Sequence, residues 1–366
     1  MIEAGSDNRG RSTIAYPSLF LANILPDSTN TTFHVAQQES QLADREVVVP
    51  VGGVLGGGSS INLMMYSRPQ KSDLDAWDVE GWSGEEMLPY LNKVESYHGP
   101  DPHGRHGHDG PVVVSRGPYI VHRAETEFIQ AVEKVGAGNW KEMADLQKVD
   151  GKSVDGVQRA YRFVSDVDGK RQDAASGYLF PRLGDGEHAN LHVLLQTKVV
   201  RVLFDEDKTA VGVDVVSSSG EGGVKTIKAR KMVILSAGAF GSPAILERSG
   251  IGNPEILAKT GVTSVVSDLP GVGEQYNDHQ LMTYAYYSSL DPQETLDRLV
   301  GGRLNLPELM QRNDPILGWN GQDATCKLRP SEEEVAQLGD KFKELWDRDF
   351  KDKIDRALVV TTLLCL

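Results

Sequence analysis

Leu55-Gly56-Gly57-Gly58-Ser59-Ser60-Ile61-Asn62 is the stretch from which the rest of this chain can be read. With Gly52-Gly53 just before it, glycine is too dense for the interior of a helix or strand, so the segment must be tight backbone. Consecutive glycines let backbone amides approach a phosphate or a planar ring, and Ser59 and Ser60 add hydroxyl donors. A generic glycine turn would share that composition, so the neighbouring sequence has to choose. Val47-Val48-Val49-Pro50 leads in, and Met64-Met65-Tyr66, Arg68, Asp73, Asp75 and Trp77 follow.

Beyond Trp77 the pattern turns helical. Ser83 caps residues 83–97, with Glu86 three positions on and Met87, Leu88, Leu91 and Val94 on one face. A Gly/Pro-rich loop from His98 to Pro111 precedes the short strand Val112-Val113-Val114. Residues 122–135 can form a helix with Ala124, Phe128, Ala131, Val132 and Val135 inward, and Val167-Asp168-Gly169-Lys170 reads as a turn between extended runs. Residues 191–235 are β-rich, ending in a buried strand over 232–235. Ser242-Pro243 starts the next helix, with proline at its favoured first position. Residues 330–350 predict one long helix capped by Ser331 and Glu334, with Val335, Leu338, Phe342, Leu345 and Trp346 as its stripe. Residues 6–45 show no sustained period and read as an extended, loop-rich connection. The irregular alternation of strands and helices points to an α/β fold, mixed with an α+β antiparallel region.

Composition narrows the function. In 366 residues, 39% hydrophobic and 25% charged, the chain is neither largely disordered nor polytopic in a membrane. A net charge of −14 argues against a basic nucleic-acid face. Cys326 and Cys365 alone cannot build a disulfide framework or a thiolate zinc site. His98, His103, His106 and His108 crowd one loop beside Asp101 and Asp109, but a Gly/Pro loop does not set ligands on one face, and they read as surface histidines with no metal. No Gly-x-Ser-x-Gly elbow or Walker-type phosphate loop occurs.

Two further motifs complete the pattern. Ile2-Glu3-Ala4-Gly5 resembles the end of a strand whose acid holds a ribose, an acid that normally lies about 20 residues after a G-x-G-x-x-G turn. No such turn precedes it here; Gly184-Asp185-Gly186-Glu187-His188-Ala189 matches the spacing but sits before a strand, as a chance turn. Ser236-Ala237-Gly238-Ala239-Phe240-Gly241-Ser242-Pro243 joins a strand to a helix through small residues, as nucleotide edges and plain sheet-to-helix turns both do. The glycine turn and this stretch, with Ser249-Gly250-Ile251-Gly252, Leu269-Pro270-Gly271-Val272-Gly273-Glu274 and Asp278-His279, resemble the glucose–methanol–choline (GMC) oxidoreductases. Met64-Met65-Tyr66-Ser67-Arg68, His106-Gly107-His108-Asp109-Gly110-Pro111 and the acidic helix after Arg329-Pro330 look most like the fungal alcohol (methanol) oxidase branch, and Arg171 with Tyr178 fits a further family segment.

The resemblance implies an FAD-binding Rossmann-like domain lacking its first βα unit (residues 1–115 and 190–285), interleaved with a substrate domain on an antiparallel sheet (116–189 and 286–366). It implies oxidation of a small primary alcohol to an aldehyde, hydride passing to flavin and oxygen accepting the electrons. Glu3 would hold the adenosine ribose. Gly57, Gly58 and Ser59 would line the pyrophosphate side of the flavin, and Asn62, Leu63 and Met65 would lie along its ring. Val199 would meet the adenine through its backbone, and Ala237 and Gly238 would flank the adenosine. Some relatives link the flavin covalently through a histidine; Asn62 cannot, so FAD would be non-covalent. No residue matches the family's catalytic histidine, and His279 reads as structural. The expected partner is a small alcohol, with no nucleic acid and no membrane, and a homo-oligomer left open. Both termini read as truncated, so a non-catalytic remnant with weak or no FAD binding is the alternative.

Overall fold

A computed structural model describes residues 1–136, 139–148 and 154–366. In chain order the strands are β1 (Thr31–Val35), β2 (Val48–Gly52), β3 (Glu95–Tyr97), β4 (Val112–Val114), β5 (Lys141–Glu142), β6 (Gly156–Arg159), β7 (Thr197–Phe204), β8 (Ala210–Ser217), β9 (Lys225–Lys228), β10 (Ile251–Gly252), β11 (Ser267–Asp268), β12 (Gln322–Leu328) and β13 (Val359–Leu364). Helices include α1 (Gly58–Ile61), α2 (Gly84–Val94), α3 (His122–Val135), α4 (Gly238–Arg248), α5 (Glu332–Gln337) and α6 (Asp340–Asp349). The sheets are small and mixed, and the chain divides into two compact units that alternate along the sequence.

The first unit comprises Met1–Asp7, Gly53–Leu55 and Glu187–Ser288. Its centre is the antiparallel sheet β7-β8-β9, whose Val202, Val213 and Val215 pack on Ile245 of α4. Ser249 ties helix to sheet: its hydroxyl accepts from the Val202 N–H at 2.8 Å and donates to the Ile245 carbonyl. The Glu3 segment is extended, but Ile2 and Ser6 make only single parallel bridges, to Leu194 and Val54. Gly5 is obligatory in that register, because a Cβ would lie 2.1 Å from the Gly53 carbonyl oxygen.

Two expectations fail in this unit. No strand forms at 232–235; Met232 and Ile234 are 71% and 80% exposed, and no described strand pairs with them. An apolar run becomes a strand only where a neighbour takes up its backbone groups. Helix α4 starts at Gly238 instead of Ser242, leaving Pro243 inside it, and the Ser242 hydroxyl accepts the Ala237 N–H at 2.9 Å ahead of the first turn.

The second unit comprises Asn8–Gly52, Gly56–Gly186 and Ser289–Leu366. Its sheet runs β13-β12-β6-β5, antiparallel at the first two joins and parallel at the last. Helix α3 covers the sheet, setting Ile129 and Phe128 against Val157, Ala324 and Cys326. Glu125 is buried where Ala131 and Val135 were expected, because Arg116 and Arg159 neutralise it from neighbouring segments. A larger core gathers Phe20, Met64, Val164, Leu296, Leu317 and Trp319. Helix α2 has the expected capping box, with the Glu86 N–H donating to Ser83 Oγ and the Ser83 N–H returning to Glu86.

The long helix expected over 330–350 is two. Ser331 caps α5 as predicted, but Gly339 takes φ +88° and separates it from α6, so Leu338 and Leu345 fall outside the buried stripe. The segment read as loop-rich holds a short helix at Ser12–Ala15, a 3₁₀ helix at Pro17–Asn23 and β1. These pieces are too short to show a period.

Candidate functional site

The glycine turn belongs to the second unit from Gly56 onward. Strand β2 delivers the chain to it, and Gly52 lies so close to the turn that a Cβ there would sit 2.2 Å from the Gly57 carbonyl carbon. Only glycine permits two backbones to meet that closely. The chain then makes one turn of helix, α1, and leaves it in extended conformation at Asn62 (ψ 174°).

Both serine hydroxyls are engaged within the protein. Ser59 Oγ donates to the Gly56 carbonyl at 2.6 Å and accepts the Ala174 N–H at 3.0 Å. Ser60 Oγ donates to Asp173 Oδ2 at 2.8 Å, an oxygen that also receives Asn8 Nδ2 at 2.7 Å. Both hydroxyl protons are thus spent within the protein, where they shape the turn. The Asp173 carboxylate is itself fixed by the Ser176 N–H at 2.6 Å.

The next residues are held from beneath. The Val167–Lys170 turn forms as expected, closed by the Ser165 N–H on the Lys170 carbonyl, and it delivers Arg171 under α1. Arg171 Nη1 donates to the Asn62 carbonyl at 2.7 Å, Asn62 Oδ1 at 2.9 Å and the Ser59 carbonyl at 3.2 Å, while Nε donates to the Ile14 carbonyl. Burial lowers the Arg171 pKa to about 10, which still leaves it charged at neutral pH. Asn320 Nδ2 donates to the Leu63 carbonyl at 2.6 Å, and the Phe163 N–H donates to the Met64 carbonyl. Met64 occupies the left-handed region at φ 62° and is fully buried, so these bonds and its packing hold a conformation that costs a side-chain-bearing residue free energy. Leu63 and Met65 flank it, both half-buried.

In the first unit, Glu3 Oε1 accepts the Gly5 N–H at 2.7 Å. Burial raises the Glu3 pKa, and the Gly5 bond opposes that shift. Val199 lies in β7 opposite Val215, next to a bulge before Arg201. Ala237 and Gly238 are exposed at the start of α4, with Gly238 at φ +80°. His279 is exposed, its backbone N–H donating to Asp278 Oδ1 at 2.7 Å.

The histidine loop scatters its rings. His98 Nδ1 pairs with Asp166 at 2.9 Å, and His108 Nδ1 meets the Tyr97 carbonyl. His106 is buried: Nδ1 lies 2.9 Å from Glu95 Oε1, Nε2 lies 3.4 Å from Asp145 Oδ2, and its ring stacks on Tyr97. Burial pulls its pKa down, but the bonds to Asp145 and Glu95 prevail and the net shift is upward. Arg68 Nη2 and the Tyr66 hydroxyl also bond Glu95. The sequence offered no sign that this one histidine of the four is a buried hub. Among the described residues, no three His, Cys, Asp or Glu side chains are grouped to hold a metal, and no helix is long and apolar enough to cross a membrane.

The family model described as "GMC oxidoreductase" matches residues 22–281. Alcohol oxidase from Pichia angusta is 33% identical over 369 residues, covering 98% of this chain and 54% of the relative. Human mitochondrial choline dehydrogenase is 36% identical over 271 residues, covering 73% and 42%. A solved FAD-dependent oxidoreductase from Chaetomium thermophilum superposes with TM-score 0.73 at 27% identity, over 89% of this chain and 56% of that one. The chain spans about half the length of the curated relatives it matches.

Proposed function

This chain belongs to the GMC oxidoreductase family, and from that membership we propose that it serves the FAD-dependent oxidation of a small primary alcohol to an aldehyde, with oxygen as the electron acceptor. The substrate class rests on the likeness to alcohol oxidases along nearly the whole chain. Bound FAD would supply the hydride acceptor for the alcohol carbon. The protein's part is to hold and orient it.

The observation that carries this reading is the glycine turn. Apart from their chain neighbours and the backbone of α1, no heavy atom of the described residues lies within 4 Å of the positions a Cβ would take at Gly57 and Gly58, while Gly52 is packed against the turn. That leaves a bare, backed strip of backbone, the surface a pyrophosphate or flat ring needs for close approach. Gly57, Gly58 and Ser59 would serve the pyrophosphate side, and Asn62, Leu63 and Met65 the ring. In the first unit, Glu3 has one carboxylate oxygen engaged by Gly5 and a second to offer the ribose hydroxyls. Val199 would meet the adenine, and Ala237 and Gly238, whose Cβ position meets no described side chain within 4 Å, would flank the adenosine. With asparagine at position 62, no covalent link forms there.

The test is an absorbance spectrum of the purified chain after incubation with FAD and desalting. Retained flavin bands that bleach on anaerobic addition of a small primary alcohol are expected. A colourless protein would overturn FAD binding by this chain, and flavin bands indifferent to every alcohol would overturn alcohol oxidation by it.

A further inference from the structure

Asn62 is exposed, yet its side-chain oxygen is doubly anchored. Oδ1 accepts Arg171 Nη1 at 2.9 Å and the Met64 N–H at 3.0 Å. A guanidinium and a backbone N–H can only donate, so turning the amide over would set N–H against N–H at both contacts. The orientation of this amide is thus dictated by its partners. Its nitrogen, with two hydrogens, faces the other way, and among the described residues nothing accepts from it. Arg171 is held in turn by the Ile14 carbonyl and by the backbone of Ser59 and Asn62, and its guanidinium is almost wholly buried. A buried cation making four bonds has little freedom to release the amide.

We propose that Arg171 is a positioning residue: it locks the Asn62 amide so that Nδ2 is presented as a hydrogen-bond donor to an acceptor atom on the edge of the flavin ring. The inference rests on the reading of Asn62 as a flavin neighbour and adds how its polarity is chosen. Arg171 acts through Asn62 and need not touch the cofactor. A carboxylate at position 62 would satisfy Arg171 and Met64 equally well but would turn an acceptor toward the ring.

The experiment uses the full chain with Arg171→Met and with Asn62→Asp, unfolding of each being followed thermally. Without cofactor, the Asn62 Nδ2 proton pair is observed in ¹H–¹⁵N spectra and assigned by its disappearance in Asn62→Asp. The pair is expected away from the free-asparagine position in the wild type and at that position in Arg171→Met, with the rest of the spectrum kept. A pair unmoved by Arg171→Met overturns the lock. Asn62→Asp keeps both donors to position 62 satisfied and so keeps the fold even if Arg171→Met does not. Its affinity for FAD, titrated by flavin fluorescence, is expected to be about 10-fold weaker, the loss of one net hydrogen bond. Wild-type affinity in Asn62→Asp overturns the donor role. A wild-type chain that binds no FAD fails the proposed function and the donor role together, while the spectra still decide the lock.

Discussion

Two sets of apolar residues, one in each unit, meet opposite fates. In the second unit Trp319, Met64, Leu296 and Leu317 are buried in one core, and Trp319 Nε1 donates to Asp323 Oδ1 at 3.0 Å. In the first unit Met232 and Ile234 face solvent, and so do Leu281, Met282 and Tyr287 farther along, with Leu281 86% exposed. By composition the two sets are alike. For strand-like runs the difference is pairing: β12, with Ala324 and Cys326 buried, has β6 on one side and β13 on the other, whereas 232–235 has no strand partner among the described residues. Hydrophobic patterning proposes an element, and backbone satisfaction by neighbours decides whether it forms.

That contrast sets a scale for perturbation. Trp319→Ala is expected to cost about 3–5 kcal/mol in denaturant unfolding, from lost burial and the lost hydrogen bond to Asp323. A cost below about 1 kcal/mol would mean the second unit's core is loosely packed. Glu95→Gln should cost about 3 kcal/mol, because it leaves Arg68 and His106 buried beside a neutral amide. A neutral outcome would show that the polar cluster is dispensable. Ser331→Ala should cost about 1 kcal/mol through the lost α5 cap, read by the same unfolding. Ile234→Ser in the first unit should change stability by less than about 0.5 kcal/mol while reducing self-association in light scattering. A large destabilisation there would show that 232–235 is packed after all.

The pH dependence follows from the same cluster. The folded-state pKa of His106 is raised, so the stability it contributes is fully present below its unfolded value of about 6.5 and is lost as pH rises through the folded pKa. Lys327 bonds Gln147 Oε1 at 3.0 Å and the Arg68 carbonyl, and burial lowers its pKa to about 8. Its slope has the opposite sign and acts between about 8 and 10.4. Urea titrations in steps from pH 6 upward should therefore show stability falling first, and His106→Gln should abolish that first fall. Persistence of the fall in the variant would assign it elsewhere.

Local signals were legible where their cause was local. Ser83 with Glu86 and Ser331 with Glu334 announced helix starts because a cap is satisfied within four residues. The density of glycine from Gly52 to Gly58 announced close backbone approach, which the contact of Gly52 with Gly57 and Gly58 bears out. Arg171 and Tyr178 could be placed in a family segment, but the bonds from Arg171 to Asn62 span more than a hundred residues and leave no periodic trace. Asn8, Asp173 and Asn320 were missed for the same reason: polar side chains that brace a turn from a distance look like any surface residue in one dimension.

From the amino-acid order came the family, the mixed α/β class and the turn around which a cofactor reading can be built, because motif spacing and caps are properties of neighbours in the chain. Folding in space settled which apolar runs became strands, which of four loop histidines was buried, and which way the amide of Asn62 faces. Each of those depends on a partner supplied by a distant segment, and a hydrogen bond or a packed face exists only once both sides have been brought together.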